Sequence, residues 1–244
     1  MDNQFEKSIS FKKHTGKETA LKIISETHIN EGVFGDIFDA VVEINGKRKR
    51  FIVKKYKSFY YRTIFHSAEE NAKEAMENYT LAKNSGLKVF PTFRMGEDGK
   101  SILMTTGFLN DQICVSVNNT KNIVDFEKTS IKEIQDLNKF LTEFFTEGLK
   151  AAQKGIRIHE DVVFFILNKT EPTKIDFVLG DVDSLLKKES TKLTGLKNIE
   201  DLKSILVKFC ARNIDLSFFK EFLERVEYYC NQAKNSVEND KTLK

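Results

Sequence analysis

The sequence "GIRIHEDVVFFILNK" at residues 155–169 places His159, Glu160 and Asp161 directly before a run of apolar residues. Charged side chains are costly to bury unless they are paired or hold a ligand. Carboxylates at the entrance of a buried strand therefore indicate either structural ion pairs or a functional site. Which of the two applies depends on the elements that flank this stretch.

A long amphipathic helix is predicted upstream of this stretch, between residues 130 and 154, with Ser130 as its N-cap. Apolar residues recur there every three or four positions: Ile131, Ile134, Leu137, Phe140, Leu141, Phe144, Phe145 and Leu149. Downstream, "FFILN" and "KIDFVLGD" predict a short strand pair, and "NIEDLKSILVKFCAR" and "LSFFKEFLERVEYYCNQA" predict two helices. The polar stretch 110–122 is interpreted as a linker region.

The first half of the chain is predicted to be rich in strands. "KIISETHIN", "DIFDAVVEI" and "RFIVKKY" are β-like, and Asn45-Gly46 is typical of a tight hairpin. A helix is predicted at 67–85, capped by Ser67 and ended by Gly86, and another hairpin at 93–106. This order predicts an α+β protein with a β-rich N-terminal lobe and a helical C-terminal lobe.

Composition sets few limits on function. The 244 residues carry a net charge of +3, so composition does not call for nucleic acid or a membrane surface. The basic hairpin "GKRKR" at 46–50 is interpreted as solvated, and no specific nucleic-acid partner is expected. No apolar run reaches the length of a membrane span, and no classical signal peptide is visible. Three widely spaced cysteines favour a reducing compartment, hence a cytoplasmic location.

Several motifs resemble those of the protein kinase superfamily. "NEGVFGDIFDA" is similar to the kinase glycine-rich loop, with Asn30 where the first glycine is expected. "FIVKK" resembles the strand that carries the phosphate-contacting lysine, here Lys54. Glu74 follows 20 positions later on the predicted helix, which is about right for the lysine–glutamate ion pair. The alternation Ile52 in, Val53 out, Lys54 in also turns Lys54 inward.

The C-terminal half carries three further motifs of the family. "HED" resembles the catalytic-loop H-R-D, which makes Asp161 the candidate base. "LGDVDSL" resembles the D-F-G region, with Asp181 as the metal ligand and Asp183 as a second one. "EDLKSIL" resembles the start of the central helix, where Asp201 would brace the catalytic loop.

The chain also departs from the family in three places. Ile166 stands where the catalytic-loop Asn is expected, and the loop looks shortened, with Phe165 as a filler of the slot. D-F-G is replaced by Asp181-Val182-Asp183. Only 17 residues separate Asp183 from Asp201, so the activation segment is very short. These features resemble compact bacterial effector kinases and small-molecule phosphotransferases, which also admits a non-classically secreted effector.

The resemblance implies a bilobal kinase-like fold and an ATP- and Mg²⁺- or Mn²⁺-dependent phosphotransferase. A single domain over 1–244 is expected, with an arm (1–20), an N-lobe (21–107) and a reduced helical C-lobe (108–244). Catalytic roles fall on Asp161, Lys54 and Glu74, and metal binding on Asp181 and Asp183. Nucleotide contacts are implied for Gly32, Val33, Phe34, Gly35, Ile37, Ile52, Lys54, Met104 and Thr106. The acceptor is a hydroxyl, foremost of protein Ser/Thr or else of a small molecule, and an activating protein partner is admitted.

Other interpretations of the same residues stay open. "EGVFG" also fits a plain hairpin turn, and Glu70 or Glu77 could replace Glu74. His159 is favoured as a packed structural histidine, and Asp176 or Asp183 competes with Asp181. Asp183 or Asn168 is a substitute for the missing Asn. At the level of function, a pseudokinase acting as a binding module and a kinase-fold enzyme that transfers AMP are the alternatives.

Overall fold

The structure is a computed structural model, and it describes residues 22–44, 46–61, 64–105, 112–116, 131–168, 171 and 173–244. It divides into two compact units. Unit 1 comprises Met1–Tyr79 and Phe90–Phe108, and unit 2 comprises Thr80–Val89 and Leu109–Lys244. The predicted lobe boundaries and the 1–20 arm stay predictions.

Unit 1 is built on a five-stranded antiparallel sheet in the order β1-β2-β3-β7-β6. Its strands are β1 (Lys22–Glu31), β2 (Gly35–Ile44), β3 (Lys47–Tyr56), β4 (Phe59–Tyr61), β5 (Ile64–His66), β6 (Thr92–Met95) and β7 (Ser101–Thr105). The three predicted N-terminal strands and the 93–106 hairpin are confirmed. Ile44 pairs with Lys47, so the chain reverses between them as the predicted hairpin requires, and Asn45 lies outside the described residues. Strands β4 and β5 form a separate small hairpin.

Helix α1 (Ala68–Asn84) is capped as its sequence predicts. The Ser67 hydroxyl accepts from the Glu70 N–H at 3.1 Å, while the Glu70 carboxylate accepts from the Ser67 N–H at 3.1 Å. This reciprocal pair is a capping box. At the other end Gly86 has φ +72°, and the N–H of Leu87 bonds to the carbonyl of Ala82 at 3.0 Å. The glycine therefore ends the helix in a Schellman motif.

Unit 2 contains a three-stranded antiparallel sheet in the order β11-β10-β8 and a two-stranded ladder of β9 with β12. The strands are β8 (Gln112–Ser116), β9 (Ile156–Arg157), β10 (Val163–Asn168), β11 (Ile175–Leu179) and β12 (Leu186–Lys187). The predicted β10–β11 pair is confirmed. The interpretation of 110–122 as a linker region is wrong for the described part, because all five residues 112–116 pair with β10.

Three helices complete unit 2: α2 (Leu137–Gln153), α3 (Lys192–Asn213) and α4 (Leu216–Asn239). Helix α2 begins later than predicted, since Ile131 instead forms a parallel bridge with Ile214. The predicted cap Ser130 lies outside the described residues. An aromatic cluster joins α2 to strands β10 and β11 and to α3. Its members are Phe140, Phe144, Phe165, Phe177 and Phe209.

The elements establish the α+β class: a five-stranded antiparallel sheet with one helix, then a smaller sheet with three helices. The kinase-like assignment of this fold stays a prediction. The bilobal arrangement stays a prediction. Within the described ranges no helix combines the length and apolarity that crossing a membrane requires.

Candidate functional site

The glycine-rich hairpin joins β1 to β2 in unit 1. The Gly32 N–H donates to the Gly35 carbonyl at 2.9 Å and closes the turn. A Cβ on Gly35 would lie 2.4 Å from the Lys55 carbonyl oxygen of β3, so only glycine fits there. Val33 is 73% exposed at the tip, whereas Phe34 makes an edge contact with Phe59 at 5.2 Å. The turn therefore has an anchored base and an exposed tip.

Lys54 is buried, with 7% of its surface exposed. On β3 it lies opposite Ile37 of β2 and Ile102 of β7, which places its side chain on the same sheet face as theirs. Its ammonium lies 5.2 Å from the centre of the Tyr56 ring. The inward orientation of Lys54 predicted from alternation is thus what the structure shows.

The same sheet face carries Ile52 of β3, which lies opposite Met104 of β7. Four of the residues predicted to contact nucleotide, Ile37, Ile52, Lys54 and Met104, therefore share this face. The expectation that Val53 faces outward to solvent is wrong, because Val53 is fully buried in an apolar cluster on the opposite face. Thr106 lies outside the described residues.

Glu74 is not brought to Lys54. It lies on the exposed side of α1, and the described residues include no hydrogen bond or ion-pair partner for its carboxylate. Glu70 and Glu77, the alternatives, are exposed as well. The physical reason is the position of Glu74 around the helix, because a different side of α1 is buried. That side carries alanines, two asparagines and one tyrosine: Ala68, Asn71, Ala72, Ala75, Asn78, Tyr79 and Ala82.

Tyr79 of helix α1 packs on the sheet face that carries Lys54. Tyr79 stacks on Phe93 of β6 at 4.6 Å, and Phe93 pairs with Met104. Asn71 donates from Nδ2 to the Lys57 carbonyl at 3.0 Å. The buried amide side chains of α1 are Asn71 and Asn78, which the sequence comparison with kinase motifs missed.

In unit 2, Glu160 and Asp161 of the "HED" motif begin a 3-10 turn, Glu160–Val162, directly before β10, and His159 precedes this turn. Asp161 is partly exposed, and its carboxylate lies 3.6 Å from His159 Nδ1. His159 is itself about half exposed, at 54% of its side chain, so its interpretation as a packed structural histidine is wrong. Glu160 has a different environment from Asp161, although it is adjacent in sequence.

Glu160 binds α3. Its carboxylate accepts from the Ser204 hydroxyl at 2.9 Å and forms an ion pair with Lys208. The Lys208 ammonium holds the pKa of Glu160 below its usual value, with a smaller contribution from Ser204. Of the two adjacent carboxylates, Glu160 is therefore structural.

Two further side chains of α3 bind the chain just before this turn. Asn198, fully buried, accepts from the Ile158 N–H at 2.9 Å and donates to the carbonyls of Ile156 and Gly148. Asp201 pairs with Arg157, Oδ2 to Nη2, at 2.5 Å. The predicted brace by Asp201 is present, and Asn198 is an additional brace that was not predicted.

A second 3-10 turn, Val182–Ser184, follows β11 and contacts the Glu160–Val162 turn. The N–H of Gly180 donates to the carbonyl of Val162 at 2.8 Å. This bond joins the residue before Asp181 to the residue after Asp161. Asp181 and Asp183, like Asp161, are only partly buried.

The carboxylates of these adjoining turns are of the type that binds a hard divalent cation. Mg²⁺ is usually held by one or two carboxylates together with substrate phosphates and water. The described residues contain no group of three or more His, Cys, Asp or Glu side chains that would hold a metal alone. Metal binding by Asp181 and Asp183 therefore stays a prediction.

The position of the missing catalytic Asn is occupied by strand. Ile166 is the middle of β10 and pairs with Asp176 and Cys114. Phe165 is fully buried against Phe209, so it fills the core and not a polar slot.

Asn168, one of the proposed substitutes for the missing Asn, does not lie near Asp161. It stands at the far end of β10, roughly 17 Å along the strand, where its Oδ1 accepts from the Glu171 N–H. Asp176 likewise stands at the far end of β11 and pairs with Lys88. Asp183 is left as the candidate second ligand.

Solved structures of other proteins resemble this chain, whereas its sequence does not match known families. No protein-family model and no curated protein matches the sequence. The crystal structure of the proinflammatory kinase CtkA of Helicobacter pylori is similar over 88% of this chain and 95% of that one, with 10% identity and a TM-score of 0.45.

Proposed function

We propose that this chain is a phosphotransferase that moves the γ-phosphoryl group of ATP to a hydroxyl, with Mg²⁺ or Mn²⁺. The observation that carries the proposal is the hydrogen bond from Gly180 N–H to the Val162 carbonyl, which joins the turns bearing Asp161 and Asp181. Phosphoryl transfer requires mainly that the nucleotide and the acceptor are positioned and that charge is neutralised. Two carboxylates on adjoining, braced turns meet the positioning requirement.

The roles of the two carboxylates differ. Asp161, next to His159, is proposed to orient the acceptor hydroxyl and accept its proton. Asp181 is proposed to hold the cation, with Asp183 as a second ligand. Bound Mg²⁺ supplies charge neutralisation at the phosphates. Glu160 has no direct role, because it is committed to Lys208 and Ser204.

Unit 1 is proposed to bind the nucleotide. Glycines allow backbone N–H groups to approach phosphate oxygens. Lys54 is the cation for the phosphates, and Ile37, Ile52 and Met104 share its sheet face as an apolar surface for the base. Val33 and Phe34 lie at the tip of the turn. Since Glu74 points to solvent, Asn71 or Asn78 is proposed in its place to fix the lysine.

The substrate is proposed to be a protein Ser/Thr hydroxyl, with a small-molecule hydroxyl as the alternative. The stretch between Asp183 and α3 is short, so an activating protein partner could complete the platform for a polypeptide. A pseudokinase is the second candidate function, and two observations favour it. Glu74 is exposed, and Ile166 replaces the metal-binding Asn within a strand.

The deciding experiment uses the pure chain with γ-labelled and, separately, α-labelled ATP plus Mg²⁺ or Mn²⁺. Transfer of the γ label that disappears in Asp161→Asn supports the proposal. Transfer of the α label supports AMP transfer instead. Absence of both labels, with nucleotide still bound, supports the pseudokinase.

A further inference from the structure

The stretch between the Val182–Ser184 turn and α3 is held by residues from the other end of unit 2. We call residues 186–192 the connector and residues 240–244 the strap. The Lys192 N–H of the connector donates to the Lys244 carbonyl at 3.1 Å, and the Lys244 N–H donates to the Ser190 carbonyl at 3.2 Å. The strap thus pairs with the connector through backbone bonds in both directions, as a strand would.

Side chains fix the strap beside the connector. Leu243 is buried, at 4% exposure, although its neighbours are exposed. A Cβ on Gly195 would lie 3.4 Å from Leu243 Cδ1 and 2.8 Å from Val237 Cγ1, so the glycine makes room for this leucine at the start of α3. The strap therefore has a seat of matching shape.

Asp240 gives the strap its bend and its link to α2. One carboxylate oxygen accepts from the Thr242 N–H at 2.8 Å and from the Thr242 hydroxyl at 2.7 Å. The other accepts from Gln153 Nε2, at the end of α2, at 2.7 Å. These hydrogen bonds hold the pKa of Asp240 below its usual value. The carboxylate thus orders the turn that presents Leu243.

The opposite side of the connector is held by the chain that leads into the Asp161 turn. Leu186 and Lys187 form the ladder with β9, and the Lys188 N–H donates to the Gly155 carbonyl at 2.8 Å. A Cβ on Gly155 would lie 2.4 Å from the Lys188 carbonyl oxygen, so the two backbones are in close contact. The connector therefore lies between β9 and the strap.

We infer that the strap is a latch that keeps the connector in place against β9. The latch rests on one buried leucine and a few hydrogen bonds, whereas the aromatic cluster of unit 2 is far larger. Local elements of this kind open without global unfolding. With the strap released, the connector exchanges between seated and open states, and the pairing of β12 with β9 weakens. This inference goes beyond the proposed activity and does not depend on it.

Residue-resolved hydrogen exchange tests the latch. In Leu243→Asp the N–H of Lys192 should exchange at least about tenfold faster than in the wild type, with a smaller increase at Lys188. Asp240→Ala should act in the same direction. The matched control is Lys241→Ala, because Lys241 is an exposed residue of the same strap. Its exchange should equal that of the wild type. Trypsin cleavage after the exposed Lys187 should accelerate in parallel.

Two outcomes would overturn the latch. The first is unchanged exchange at Lys192 and Lys188 in both latch variants. The second is equal acceleration at Phe144 and Phe145 of α2, in Leu243→Asp and in the milder Leu243→Ala, because the strap would then be part of the common core. Selective acceleration at the connector in Leu243→Ala supports the latch even if Leu243→Asp fails to fold.

Discussion

Asp161 and Glu160 are adjacent carboxylates in different surroundings, and this difference predicts different mutant behaviour. Asp161→Asn should lower γ-phosphoryl transfer by about 10²–10⁴-fold, the usual cost of losing a general base, with little change in nucleotide affinity. Single-turnover transfer and equilibrium binding measure the two effects separately. Asp176→Asn is the control, because Asp176 lies at the other end of β11. Equal activity of Asp161→Asn and the control would remove Asp161 from the reaction.

Asp181 and Asp183 lie on either side of Val182 and are proposed as the first and second metal ligands. Variants of each residue separate these two roles. Asp181→Asn should abolish transfer together with the Mg²⁺-dependent part of ATP binding. Asp183→Asn should have the milder effect and recover partly at higher Mg²⁺ or with Mn²⁺. Calorimetric titration of ATP with and without chelator measures both. The reverse order of effects would move the primary ligand to Asp183.

At the residue scale, strand alternation predicted the inward orientation of Lys54, which is buried. The roles of Asp161 and Asp181 come only from local motifs and stay predictions. The partners of Glu160, in contrast, lie more than forty positions away on α3. No local pattern separates a carboxylate that is bound by Lys208 from its neighbour that is not.

Among the elements, α3 binds the chain that leads into the Asp161 turn. Asn198 is the most buried of the α3 side chains that make these polar contacts. Asn198→Ala would leave the Ile158 N–H and two carbonyls without partners. Each unsatisfied buried group costs about 1–3 kcal/mol, so the free energy of unfolding should fall by at least that much. Urea denaturation measures it, and Lys197→Ala, on the exposed side of α3, is the control. A loss no larger than that of the control would contradict the brace.

The Glu160–Lys208 pair predicts a pH effect on stability. The pKa of Glu160 is lowered in the folded chain, so the pair stabilises the fold above the unfolded pKa, near 4.5. This stabilisation is lost as the pH falls through the lowered folded value. The stability difference between wild type and Glu160→Gln should therefore be full at pH 7 and shrink below about pH 4.5. Chemical denaturation at several pH values measures it; a constant difference would contradict the pair.

Elements that depend on local pattern were predicted, and those that depend on distant partners were not. The hairpin at Asn45-Gly46 and the cap at Ser67 are local. The bridge from Ile131 to Ile214 instead keeps the start of the predicted helix extended, and β8 forms only because β10 lies beside it. Glu74 shows a third limit: its 20-residue spacing from Lys54 suggested an ion pair, but the buried side of α1 carries alanines and asparagines, and Glu74 is exposed.

For the whole molecule, the order of elements was enough to predict the α+β class. Each helix or strand is indicated by the hydrophobic periodicity of its own segment, and the class follows from their order. The arrangement of a nucleotide site is not readable in this way. The residues proposed for it are far apart in the chain, and the sequence indicates them only by resemblance to kinase motifs.

Binding of nucleotide with metal is the prediction that tests this resemblance on the intact chain. A ligand that binds only the folded state stabilises it, by about 2.7 kcal/mol at a free concentration of 100 Kd. ATP with Mg²⁺ should therefore raise the Tm more than ATP with chelator, as measured by thermal denaturation. Lys54→Met should lose most of this shift, because the phosphates lose their cation, while Lys241→Ala should keep it. Equal shifts with Mg²⁺ and with chelator would contradict the metal role of Asp181, and no shift at millimolar ATP would contradict nucleotide binding itself.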